Sequence, residues 1–237
     1  MPATPSGTRA SRGREARQEP PLDSSVRVAL VVEQLSLGPI GTNCYAVLAE
    51  RGATEAVVVD PSGPAPEVLQ LLERLGASCA AILVTHGHFD HILGVAELAE
   101  ATGAPVYMPI GDRALLETPT EVWGVLVPAW APDVLVEGGA TVEAAGISFE
   151  TLHVPGHSPG HISYYADGCL FSGDVVFAGS VGRTDLPGAD WDTLLASIRL
   201  LAESYPPVTA VYPGHGAPTT LGEELARNPF LAELREP

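Results

Sequence analysis

The chain has 237 residues, is 46% hydrophobic and carries a net charge of −17, so it can bury a core and is neither wholly disordered nor collagen-like. That acidity argues against a nucleic-acid partner, and no apolar run reaches the roughly 18 residues of a membrane span. All 12 basic residues are Arg, and without Lys the chain lacks the means for Schiff-base chemistry, pyridoxal phosphate anchoring or a phosphate-binding loop Lys.

Residues 1–25 carry four Arg among Pro and Ser, with no apolar stretch of signal-peptide length. They read as a disordered N-terminal tail. Periodic structure begins near Val26, and 26–237 reads as one domain. Residues 27–37 and 44–48 are expected strands about a Gly/Pro turn at 38–41. The β-branched run 56–60, stopped by Pro61, is a buried strand. Val68, Leu71, Leu72 and Leu75 make 64–75 a helix, closed by Gly76. A buried strand is expected at 80–85, a helix at 92–102 and a short strand at 106–108. The stretch 117–133 holds Pro119, Pro128, Pro132, Trp123 and Trp130 and fits no period. It reads as a long loop that packs on its own domain, covers a site or contacts another subunit. Strands follow at 147–154, 161–166 and 169–172, then a helix at 191–205 and a strand at 208–212. This alternation points to a mixed α/β sandwich. Cys44, Cys79 and Cys169 are far apart and odd in number, which suits free thiols in a reducing cytoplasm.

Seven histidines occur, and three stand in Thr85-His86-Gly87-His88-Phe89-Asp90-His91. This run follows a buried strand and precedes a helix. Four metal-competent side chains in six residues suit zinc or iron. Residues two apart in an extended turn point the same way, so His86 and His88 can grip one ion together. Asp90 and His91 fall where the chain bends and can face a second. His157, Asp174 and His215 each stand alone beside a Gly at a strand end. Singly each would be a turn residue; beside the first cluster they become further ligands.

His86-x-His88-x-Asp90-His91, followed by His157, Asp174 and His215, resembles the metallo-β-lactamase superfamily over nearly all of 27–217. The stretches 151–164, Gly173-Asp174, Gly182-Arg183-Thr184-Asp185 and Pro213-Gly214-His215-Gly216 look like hydroxyacylglutathione hydrolase (glyoxalase II) and its short bacterial relatives. The resemblance implies an αββα sandwich with the metal site at one edge of the two sheets. It implies two divalent ions, zinc first, with iron or manganese as alternatives. His86, His88 and His157 would hold one ion, Asp90, His91 and His215 the other, and Asp174 would bridge them. Asp90 and Asp174 would be the catalytic carboxylates. A metal-bound hydroxide would attack a small-molecule thioester or related acyl substrate, and Arg183 could grip a substrate carboxylate or pair structurally with Asp185 or another acid. The implied enzyme is a cytoplasmic metallo-hydrolase with no membrane partner, and a homodimer is compatible with it.

Glyoxalase II has a helical C-terminal domain that binds glutathione, whereas 22 residues follow His215 here and none is Lys. An incomplete glutathione platform is therefore expected. Two other readings share the ligands: an iron-dependent persulfide dioxygenase, using His86, His157 and Asp174, and a lactonase or β-lactamase. Asp60 is expected to orient a ligand His or to be an Asp-Pro turn. His153 and His161 are expected to pack rather than ligate. Cys44 is expected to be a small buried residue, and the role of 42–45 stays open.

Overall fold

The computed structural model describes residues 29–235. The tail expected over 1–25 lies outside the described residues. Two six-stranded sheets face each other. The first contains β1 (Val31–Leu37), β2 (Thr42–Leu48), β3 (Glu55–Val59), β4 (Ser78–Leu83) and β5 (Val106–Pro109). After a small hairpin, β6 (Thr120–Val122) and β7 (Val125–Val127), the strand β8 (Val134–Val136) completes it. The second sheet contains β9 (Thr141–Ala144), β10 (Ile147–His153), β11 (Ile162–Ala166) and β12 (Cys169–Gly173). A second hairpin, β13 (Val176–Phe177) and β14 (Ser180–Val181), precedes its last strands, β15 (Ala210–Pro213) and β16 (Thr219–Thr220).

Alternation within the strands builds three layers of core. Tyr45, Val47, Val57, Val59 and Leu83 point inward to meet Phe149, Ile162, Tyr164 and Phe171 of the second sheet. Their neighbours Ala46, Leu48, Val58 and Ile82 point outward to a helical layer. That layer is α1 (Ala65–Leu75) and α3 (Val95–Thr102), which contribute Val68, Leu71, Leu72 and Leu98. On the other outer face, Leu170 and Val211 meet Leu194, Ile198 and Leu201 of α5 (Trp191–Ser204). The fold is thus the expected αββα sandwich. Strands buried on both faces read as unbroken apolar runs, which is why β2 and β3 were visible in the sequence. The helix ends have local causes too. Gly76, at φ 69, closes α1 with its N–H on Glu73 O, and Asp190 caps α5 by accepting from Thr193 N at 2.8 Å, as helix termini require.

Three expectations change. The helix expected over 92–102 is two helices, α2 (Phe89–Ile92) and α3. Gly94 separates them, donating to Pro61 O at 2.7 Å; a Cβ there would strike the Pro61 and Gly63 carbonyls. The loop expected over 117–133 contains the hairpin β6–β7, whose turn residues Trp123 and Gly124 both have positive φ. It also begins in α4 (Arg113–Glu117). The strand expected from Val208 starts at Ala210, and Val208 is 83% exposed. No helix among the described residues is long and apolar enough to cross a membrane.

Candidate metal centre

Ligand-type side chains converge from four strand ends. His86 and His88 follow β4, and Asp90 and His91 ride on α2. His157 lies between β10 and β11, Asp174 directly follows β12, and His215 follows β15. The structure therefore brings all seven expected ligands together. Three groups of donors result: His86, His88 and His157; His86, His91 and Asp174; Asp90, His91 and His215.

Neighbouring hydrogen bonds fix which atom of each ring faces inward. Thr85 O–H donates to Asp60 Oδ2 at 2.7 Å, so the Thr85 oxygen is left to accept from His86 Nδ1 at 3.0 Å. His91 Nδ1 donates to Asp60 Oδ2 at 2.9 Å, and His157 Nδ1 to Arg183 O at 2.8 Å. Each of these rings then turns its Nε2 to the centre, where it can ligate an ion once any proton there is displaced. Asp60 also accepts from Thr85 N at 2.7 Å, so one carboxylate ties two ligand histidines to the end of β4.

The separations suit a cation. His91 Nε2 lies 3.4 Å from Asp90 Oδ2 and 3.3 Å from Asp174 Oδ1. His215 Nε2 lies 3.4 Å from both Asp90 Oδ2 and Asp174 Oδ2, and His157 Nε2 lies 3.4 Å from Asp174 Oδ2. Ligand bonds of about 2.1 Å at tetrahedral angles place donor atoms about 3.4 Å apart. His88 Nδ1 sits nearer its neighbours, 3.1 Å from His86 Nε2 and 2.8 Å from His157 Nε2. His91 Nε2 and Asp174 Oδ1 are buried without a hydrogen-bond partner. Buried polar atoms rarely stay orphaned, and an ion would satisfy both. The donor set, imidazole with carboxylate, fits zinc, iron or manganese.

The two halves of the centre differ electrically. Burial lowers the basicity of His86 and His157, and of His88, whose pKa falls to about 4 under burial and the neighbouring His157 and His91. In the other half burial is outweighed. Hydrogen bonds to Asp174 and Asp90 lift His215 to about 9, and the charges of Asp174, Asp90 and Asp60 lift His91 well above the ordinary imidazole value. Burial would raise Asp90, but His91, His215 and the Thr42 hydroxyl at 2.7 Å bring it down to about 2. The sign of the pH effect on metal uptake follows. An ion at Asp90, His91 and His215 must displace imidazole protons, so affinity there falls as pH falls below about 9, by about tenfold or more per unit. The imidazoles of the His86, His88 and His157 group are all lowered, so they are already neutral near neutral pH and an ion there displaces no proton. Equilibrium dialysis against zinc between pH 6 and 8 should show one pH-steep site and one nearly flat site. Two equally steep sites would refute this division.

Other side chains brace the cluster. Residues 42–45, left open by sequence reasoning, clamp the His215 loop. Asn43 Nδ2 donates to Pro213 O and Gly216 O at 2.9 Å, and Tyr45 O–H to Pro213 O at 2.6 Å. Cys44 is buried, as expected. His161 is buried, stacks on His86 and accepts from Asp174 N at 3.0 Å. His153 donates to Pro159 O at 2.9 Å and belongs to none of the donor groups. Sequence reasoning missed Asp112, which no motif marks. Its buried carboxylate accepts from Gly87 N at 3.0 Å, Ser158 O–H at 2.7 Å and Gly160 N at 2.8 Å.

The cluster forms the floor of a cleft of about 590 Å³. Arg183 lines that cleft, with its guanidinium paired to Asp185 at 2.6 and 2.7 Å. Trp123 and Phe89 also line it, whereas Trp130 packs on the outer core of the first sheet.

Residues 37–215 match the Metallo-beta-lactamase superfamily. The hydroxyacylglutathione hydrolase GloC of Haemophilus influenzae is 36% identical over 184 residues, 74% of this chain and 87% of that protein. Among solved structures, BLEG-1 B3 metallo-beta-lactamase is 40% identical with a TM-score of 0.80, over 85% of this chain and 100% of that one. TTHA1623, solved in a di-iron-bound form, is 42% identical with a TM-score of 0.74, over 84% of this chain and 100% of that one.

Proposed function

The chain belongs to the metallo-beta-lactamase superfamily and is a metal-dependent hydrolase of that kind; on that premise we propose that it hydrolyses a thioester, as its likeness to GloC suggests. Two divalent ions, zinc in the first instance, would be held by His86, His88 and His157 on one side and by Asp90, His91 and His215 on the other, with Asp174 shared. When bound they supply Lewis acidity at the substrate carbonyl and a water ionised near neutral pH. The observation that carries the two-ion reading is Asp174, whose Oδ2 stands 3.4 Å from both His157 Nε2 and His215 Nε2.

The chain's own residues do the rest. Asp90 and Asp174 stay ionised at neutral pH and face the cleft, where either can accept a hydrogen bond from the attacking water and orient it. Thr42 holds Asp90 in that position. Arg183 keeps three of its five N–H groups free of the Asp185 pair and would donate one to a substrate carbonyl. In the reaction a water oxygen bonds to the acyl carbon and the carbon–sulfur bond breaks. Of the two water protons one passes to the leaving thiolate and the other to solvent, and a carboxylate remains.

Metal analysis of the purified protein, run beside thiol release from a thioester, tests this. About two divalent ions per chain with thiol release is the expected result. One iron per chain with oxygen uptake would replace hydrolysis by the dioxygenase reading. Faster opening of a lactone or β-lactam than of any thioester would move the substrate class.

A further inference from the structure

Above the ligand cluster the cleft is built almost wholly from uncharged side chains. Ile40, Phe89, Leu115, Val122, Trp123 and Leu186 line it. Among the described residues, the one charged lining side chain besides the candidate ligands is Arg183, and it is paired to Asp185. The chain as a whole carries −17. Beyond the candidate metal centre, a substrate bearing carboxylates would meet an acidic chain and, in the lining, no cation without a carboxylate partner. A volume of about 590 Å³ is that of a small-molecule site.

Trp123 sharpens the point. The hairpin β6–β7 turns through Trp123 at φ 53 and Gly124 at φ 79. A two-residue turn with both φ positive matches strand twist, but its first position suits Asn, Asp or Gly. An indole there meets a steric cost those residues would avoid. Folding of the hairpin does not call for it. The turn sets a 75%-exposed Trp at the cleft, edge-on to Phe89 with ring centroids 5.4 Å apart. Phe89 stands between the candidate ligands His88 and Asp90, so the aromatic pair is continuous with the metal centre.

We propose that the site takes an uncharged thioester with an apolar acyl chain, gripped between Trp123, Phe89, Leu115 and Ile40. This rests on the hydrolase reading above and specifies its substrate.

The probes are S-acyl derivatives of N-acetylcysteamine, an uncharged thiol, from acetyl to octanoyl, compared with S-lactoylglutathione on the zinc-loaded enzyme. The value of kcat/KM should rise about fourfold for each methylene that enters the cleft, and the hexanoyl ester should exceed S-lactoylglutathione. Trp123→Ala should flatten the slope, mainly through KM, and Trp123→Phe should restore much of it. A flat series, or a preference for the glutathione ester, overturns the apolar assignment and leaves the hydrolase reading intact. Calorimetry with the non-hydrolysable S-alkyl thioethers separates binding from chemistry. Tighter binding of hexyl than ethyl, lost in Trp123→Ala, supports the apolar grip even where no thioester turns over, an outcome that would sink only the thioesterase reading. Equal binding of both chain lengths overturns the grip.

Discussion

Asp174→Ala should abolish turnover and strip ions from both halves of the centre. Its two oxygens face different partners: Oδ1 lies 3.3 Å from His91 Nε2, and Oδ2 lies 3.4 Å from both His157 Nε2 and His215 Nε2. Burial pushes this carboxyl toward its neutral form, but His91 and His215 hold it well below the usual carboxylate range. Removing it leaves two lifted imidazoles with less to balance them, and would leave either ion of the proposed pair short of a negative donor. Lewis-acid catalysis contributes several kcal/mol of transition-state stabilisation, and each 1.36 kcal/mol is tenfold in rate. The expected loss in kcat is therefore about 10³-fold or more, with metal content falling from about two ions per chain to below one. Asp174→Asn keeps the shape without the charge, and should fail nearly as badly if charge is what matters. A variant that holds two ions and full turnover would mean that the carboxylate is not shared.

Much of this site could be read from the sequence because its chemistry is local. Four ligand-type residues in six are not a core-packing pattern, and each later candidate ligand sits beside a Gly just past a strand end. The sandwich was legible for a similar reason: β2, β3 and the second half of β4 are buried on both faces, and α1 shows an unbroken apolar stripe. What escaped was set by distant contacts. The helical period runs on through 92–102, and only the packing of Gly94 on Pro61 and Gly63 breaks it. The three-residue strands β6 and β7 are too short to show alternation, and Trp-Gly is not a usual signal for their turn. Asp112 had no signal at all, because its partners lie 25, 46 and 48 residues away.

Asp112 is also where the second large effect is expected. One buried carboxylate joins Gly87, between His86 and His88, to Ser158 and Gly160, on either side of Pro159 in the His157 loop. It thus sets the spacing between the two segments that supply the first group of imidazoles. Gly160 lets it approach, since a Cβ there would meet Asp112 Oδ1. Asp112→Ala leaves two N–H groups and a hydroxyl without their acceptor. Each buried donor so stranded costs about 1–3 kcal/mol, a large share of the roughly 5–15 kcal/mol that holds a domain folded. Melting should fall by about 10 °C. Asp112→Asn should also destabilise, because its NH2 must face one of the same donors. The effect on metal should be lopsided. Affinity at His86, His88 and His157 should drop by about 10–100-fold, as when partners that orient a ligand are lost, while Asp90, His91 and His215, braced by Thr42 and Asp60, should keep theirs. Zinc titration of Asp112→Asn at a temperature well below its melting point distinguishes the two roles. Equal weakening of both sites would make Asp112 a general structural residue, and unchanged affinity with unchanged melting would show that the three hydrogen bonds contribute nothing.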